Sequence, residues 1–219
     1  MGGTHFRHVV LIGGNDDGGI DVALMSREGF AIDRLRSHAG GREQSGQPVF
    51  SRDCPEYTVT TQGGQALLIL VNHFKSKGYG SPASSNARRR TQAQRVKKIY
   101  EARLAAGASL IAVIGSLNDT PASRPLEPLV QGTTVRDAFT HSGLDNGGFP
   151  GTFGPCNAGK KIDYLLLSPE LFSKAQVGGT FRRGMWPGSR PKRGETYPEL
   201  TRQVEAASDH AAVRVGLDL

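Results

Sequence analysis

Four stretches carry side chains suited to proton transfer, and each adjoins an apolar run. ALLILV (66–71) leads directly into Asn72-His73, and LIAVI (110–114) leads directly into Gly115-Ser116-Leu117-Asn118-Asp119. Asp163 lies inside KIDYLLL (161–167), and Asp209-His210 stands just before an alternating segment that closes the chain. Asp, His and Asn are costly to bury there without partners. Asp163, set between Ile162 and Tyr164, needs one, and a histidine is the natural choice. The others each have a plainer reading. His73 suits a hydrogen-bonded strand end, Asn118 or Asp119 a cap or turn, and Asp209 the turn before the last strand. All of them together are far less expected by accident than any one.

The elements that must position these residues follow from pattern. HVVLIG (8–13) reads as a buried strand, and Asn15–Gly19 is a turn signal before a strand over 20–26. A polar loop follows, with short strands expected at 49–51 and 57–61 around Cys54-Pro55. The runs at 66–71 and 110–114 read as strands covered on both faces. Between them, Ala93, Val96, Ile99, Tyr100 and Leu104 fall on one side of a helix expected over 88–106, and Gly107 is placed to end it. Strand, helix, strand predicts a crossover between parallel neighbours. Both polar clusters then share one sheet edge, beyond the strand C-termini, where α/β sheets bind ligands. Further strands are expected at 161–167 and 211–219, with a long basic loop over 178–203.

The 219 residues suit one domain, 1–219, with residues 1–4 as a tail. No apolar run approaches the roughly 18 residues of a membrane span. The N-terminus shows no apolar signal core, and Phe6 stands where a myristoylation site wants Ser or Thr. The compartment stays open. Cys54 and Cys156 make either one bridge or two free thiols. A net charge of +7 favours phosphate-rich partners or is merely a soluble basic surface. Arg182, Arg183, Arg190, Lys192 and Arg193, with Trp186 among them, make either a nucleic-acid surface or a solvated loop.

Taken in order, Gly19–Leu24, Asn72–Gly78 (NHFKSKG), Gly115–Asp119, Lys161–Tyr164 and Ser208–His210 resemble DNase-I-like enzymes of the endonuclease/exonuclease/phosphatase superfamily, and more narrowly its bacterial nucleases. The resemblance spans essentially the whole chain. It implies a four-layer α/β sandwich: two packed mixed sheets with helices outside. It implies hydrolysis of a phosphodiester by water with Mg²⁺ or Mn²⁺. By similarity, His73 touches the scissile phosphate or protonates the leaving oxygen, and His210 is the catalytic histidine oriented by Asp163. Asp209 is a metal ligand, and Asn118 helps place metal, phosphate and water. Hard oxygen donors suit Mg²⁺, and a His held by an Asp has a fixed tautomer. Lys75, Arg88, Arg89 and Arg90 are expected at substrate phosphates, Arg88–Arg90 having a solvated helix start as their plainer reading.

The chain departs from the family pattern in three places. Ser116 stands where the pattern has a metal-binding or water-activating Asp, and losing such a group commonly costs orders of magnitude in rate. Three outcomes are open: a weak or dead enzyme, a deliberate substitution that traps substrate, or a replacement carboxylate such as Asp119. The family's N-terminal Asn and metal-binding Glu have no counterpart before His8. A chain lacking the first strands is therefore expected, with a homodimer covering the exposed edge. Gly18 replaces a frequent basic residue. The expected function is a nuclease acting on DNA, with RNA left open as a further substrate. The alternatives are a phosphatase or phosphodiesterase for small molecules or lipid head groups, and a non-catalytic nucleic-acid binder. The retained His73, Asp163, Asp209 and His210 argue against pure binding.

Overall fold

The structure is a computed structural model that describes residues 5–186 and 196–219. Its largest element is a six-stranded mixed sheet in the order β3-β4-β5-β6-β9-β7. These strands are β3 (Ala31–Arg36), β4 (Glu56–Thr60), β5 (Ala66–His73), β6 (Ile111–Ser116), β7 (Arg136–Asp137) and β9 (Asp163–Leu167). Helices α1 (Pro82–Ala105) and α2 (Glu127–Val130) cover one face. Opposite lie an antiparallel hairpin of β1 (His8–Ile12) and β2 (Val22–Ser26), and a three-stranded sheet of β8 (Leu144–Asp145), β10 (Ala175–Phe181) and β11 (Ala212–Leu217). The short helix α3 (Pro169–Ser173) follows β9. The expected α/β sandwich of packed mixed sheets is the fold observed.

Strand alternation decides the layers. Leu68, Leu70, Ile111, Val113, Tyr164 and Leu166 point toward α1, where Val96, Ile99 and Tyr100 meet them. The alternate residues, Ile69, Val71, Ala112, Ile114 and Leu165, point toward the smaller sheets. The crossover β5–α1–β6 joins parallel neighbours as expected, with Asn72 opposite Gly115 and His73 opposite Ser116. Helix α1 starts at Pro82, six residues earlier than apolar spacing suggests, because Ser81 caps it by accepting from the Ser84 N–H. It ends before Gly107, whose φ of 92° continues the chain out of the helix.

Four expectations need correction. HVVLI forms a strand but is not buried: Val9 is 63% and Leu11 62% exposed, since β1 is the outer strand of a two-stranded hairpin. Residues 49–51 form no strand. Val49 and Phe50 are buried as a loop plug, and the Val49 N–H bonds the Gly41 carbonyl rather than a ladder. The region read as a polar loop holds β3, whose AIDRLR pattern hides a strand behind charged side chains. The start of the expected basic loop, 178–181, is the end of β10. Gly179 is required by close packing: a Cβ there would sit 2.0 Å from the Asp145 carbonyl oxygen of β8. Both cysteines are buried free thiols. No helix among the described residues is long and apolar enough to cross a membrane.

Candidate active site

Three adjacent strands end in one row of polar side chains. His73 pairs in register with Ser116, and Ser116 with Asp163, so all three occupy one face at one edge of the main sheet. By alternation this is the face turned toward the smaller sheets, continuing the column of Val71, Ile114 and Leu165. Gly115 makes the row possible. Its φ is 119°, and a Cβ would lie 2.0 Å from the Asn72 carbonyl oxygen, so only glycine allows this approach.

His210 arrives from the opposite layer, just before β11. Its Nδ1 lies 3.0 Å from both carboxylate oxygens of Asp163. The partly buried carboxylate found the histidine that it required. An Nδ1–H donated to Asp163 leaves Nε2 as the free nitrogen. Burial works to lower the His210 pKa, but the hydrogen bond and charge of Asp163, with the charge of Asp209, raise it above the ordinary histidine value. Phe153 packs against the imidazole with its ring tilted by 53° at 4.8 Å between ring centres, and pairs with His210 through a β-bridge. Lys161 donates to the Asp163 carbonyl at 2.7 Å and pairs with Asp137 at 3.0 Å.

His73 is in the reverse situation. Burial, then the positive charges of Arg52 and His210, hold its pKa down to about 4, against weaker help from Asp163 and Asp16. It is neutral at neutral pH, and its neighbour across the row is a proton carrier of higher pKa. Such a split between two titratable groups is a frequent signature of acid–base sites.

The loop after β6 is tied down from behind. Asn118 adopts φ 56° and donates its side-chain amide to the Phe74 carbonyl at 2.9 Å. Asp119, expected as a substitute metal ligand, is committed elsewhere: Lys77 Nζ lies 2.5 Å away and Arg89 Nε 3.1 Å away. Arg89, expected on substrate, is 1% exposed and also donates to the Lys75 carbonyl at 2.9 Å. It is a buried brace between α1 and the two loops that carry Lys75 and Asn118. Arg182 is likewise corrected, being buried and donating to the carbonyls of Asn146, Phe149 and Gly151. Arg90 faces α2, where it pairs with Glu127 at 3.2 Å. Arg88 pairs with Glu43 at 3.1 Å.

Other cations do stand at the rim. Lys75 places Nζ 5.6 Å from the centre of the Tyr79 ring, and Tyr79 is 74% exposed. Arg183 lies over Tyr197 at 4.9 Å. The Trp186 N–H bonds the Ser208 carbonyl, two residues before His210. Arg190, Lys192 and Arg193 lie outside the described residues. Arg52, which acts on His73 through its charge and pairs with Asp16 at 3.5 Å, carried no signal in the sequence. Phe153 was missed for the same reason: no short motif marks it.

For Mg²⁺ or Mn²⁺ the donor set is poor. Among the described residues, no three His, Cys, Asp or Glu side chains converge on one point. Asp209 is half exposed, its Oδ1 4.0 Å from His210 Nε2. Ser116 supplies no charge, and its buried Oγ has no hydrogen-bond partner among the described residues. Asp119 is held by two cations. The described residues do not form a preformed divalent-metal site.

The chain matches a family model described as Endonuclease/Exonuclease/phosphatase family over residues 2–210. No curated protein matches it significantly. Solved structures of similar fold include an endonuclease/exonuclease/phosphatase from Bacteroides vulgatus, with TM-score 0.63 and 15% identity, covering 96% of this chain and 76% of that one. Another is a mannosyl-6-phosphatase from Bacteroides thetaiotaomicron, with TM-score 0.63 and 19% identity, covering 97% of this chain and 78% of that one. A sphingomyelinase C from Streptomyces griseocarneus has TM-score 0.51 and 15% identity, covering 75% of this chain and 60% of that one.

Proposed function

The chain belongs to the endonuclease/exonuclease/phosphatase family of phosphoester hydrolases, and on that premise we propose that it cleaves phosphodiester bonds in nucleic acid, DNA first. The observation that carries this reading is the His210–Asp163 pair set across the row from a neutral His73. His210 Nε2 takes a proton from the attacking water as its oxygen bonds to phosphorus. His73 gains its proton when the anionic diester arrives, because a negative charge beside an imidazole favours the protonated form. It then gives that proton to the leaving oxygen as the P–O bond breaks. Asn118 lies at the same edge to orient the phosphate. Lys75, Arg183 and Trp186 support a polyanion with bases over a small ester, since cations track phosphates and aromatic faces stack bases.

A small phosphorylated substrate is the second reading, favoured by the similarity of fold to the mannosyl-6-phosphatase. Ser116 favours a third, a binder that has lost hydrolysis. Plasmid cleavage separates them, run with Mg²⁺, with Mn²⁺, with EDTA and with His210→Ala. Nicking that disappears in His210→Ala is the expected result, and its response to EDTA reports the part played by metal. No nicking, with salt-sensitive DNA binding in a gel shift, overturns the hydrolytic reading in favour of the binder. Release of phosphate from sugar phosphates without nicking favours the second.

A further inference from the structure

We propose that the protein has a second anion site, for a phosphate-bearing small molecule, in the cleft at the end of the main sheet opposite the catalytic row. Strand β5 runs between the two sites, from Ala66 in the cleft to His73 in the row. Its eight residues set them about 23 Å apart.

The cleft has a volume of about 560 Å³. Its charged lining is Arg34 and Arg36 of β3, Arg103 of α1 and Glu56 of β4. Three guanidinium groups against one carboxylate leave two positive charges in surplus. Register explains the convergence: Arg34 pairs opposite Thr58 and Arg36 opposite Glu56, so both project from the sheet face that α1 covers. Glu56 is satisfied by Arg103, at 2.5 Å to Nε and 2.9 Å to Nη2. That pair fixes the wall of the cleft and, among the described residues, leaves Arg103 Nη1 uncommitted. Arg36 stands 3.7 Å from Glu56, a loose contact, and among the described residues Arg34 has no ion-pair partner.

The C-terminal end of α1 disfavours an anion through its dipole, and the three guanidinium groups must outweigh it; the carbonyls of Ala102, Arg103 and Leu104 are occupied by the N–H groups of Ala106, Ala108 and Gly107. Leu68, Ala106 and Leu110 form an apolar stretch of the remaining wall, beside the polar Thr58, Gln65 and Ser109. A phosphate held by the arginine fork with its body along that wall is the ligand these features suit.

Charges on an edge strand also block edge-to-edge pairing, and the test separates the two roles. Arg34→Glu with Arg36→Gln keeps the edge charged, leaves both Arg103–Glu56 hydrogen bonds in place and removes the two guanidinium groups of β3. The experiment is amide NMR on the full chain, titrated with inorganic phosphate and with 5′-AMP, in a His210→Ala background to suppress turnover. Saturable shifts at Gln65, Gly107 and Ala108 are expected, weakened at least about tenfold by the double substitution with melting temperature unchanged. Tighter binding of 5′-AMP than of phosphate assigns the apolar wall to the ligand body. Equal binding assigns the site to phosphate itself. Shifts confined to residues 72–76 and 209–210, or an affinity that the double substitution leaves intact, overturn the proposal.

Discussion

Replacing Glu56 with Gln tests whether the arginine cluster is an electrostatic unit or a set of surface contacts. Glu56 is 4% exposed and accepts both hydrogen bonds of the Arg103 fork, with His38 Nε2 at 3.4 Å and Arg36 at 3.7 Å. Burial works to raise its pKa, but the ion-pair contacts of His38 and Arg103, with the hydrogen bonds of Arg103, prevail and bring it from 4.5 to about 2. A folded-state value below the unfolded one means stability that is present above pH 4.5 and lost as the pH falls toward 2. At about 1.4 kcal/mol per pH unit the whole effect is about 3 kcal/mol. Glu56→Gln has no charge to titrate and leaves Arg103 facing a neutral group. Urea denaturation of both proteins at pH 7, 4.5 and 3 should show a gap of about 3 kcal/mol at pH 7, shrinking to less than half by pH 3. The other carboxylates titrate in both proteins and cancel in the difference. A gap that does not change between pH 7 and pH 3 refutes the electrostatic reasoning, because a purely steric cost is blind to pH.

Asp163→Asn should lower nicking by about 10²–10⁴-fold, by losing the tautomer and orientation of His210. Because Asp163 raises the His210 pKa and His210 acts in its neutral form, the acidic limb of the pH–rate profile should also move to lower pH. Ser116→Asp places a second carboxylate directly opposite Asp163. It should melt below the wild type without metal and recover with Mg²⁺ or Mn²⁺, a gain the wild type lacks, in thermal scans. Arg89→Met leaves Asp119 buried with Lys77 alone and should cost about 3 kcal/mol in denaturant unfolding, with Arg89→Met/Asp119→Leu recovering part. The homodimer expected from the sequence would cover the exposed sheet edge, and light scattering that returns a clean monomer refutes it.

The sequence by itself determined the row of polar residues. Apolar runs ending in His73 and Ser116, joined by one helix, leave a parallel crossover as the economical solution, and that crossover aligns their ends. Asp163 announced a partner because a carboxylate among apolar neighbours is expensive alone, though nothing local named His210, 47 residues away. Strand β3 and the end of β10 were not legible. Charged or glycine-rich strands lack the apolar alternation that marks a half-buried one, and only their neighbours reveal them.

The arginines show most clearly what tertiary structure alone decides. Arg88, Arg89 and Arg90 are identical in the sequence, yet a helix turns each about 100° from the last. Arg88 therefore meets Glu43, Arg90 meets Glu127 of α2, and Arg89 turns inward to Asp119. Arg182 turns inward onto three carbonyls, while Arg34 and Arg36, unremarkable in sequence, share a cleft because register places both on one face. The sequence supplies the charge of each side chain. Whether that charge braces the fold or faces a ligand depends on which direction the backbone points it and what it meets there.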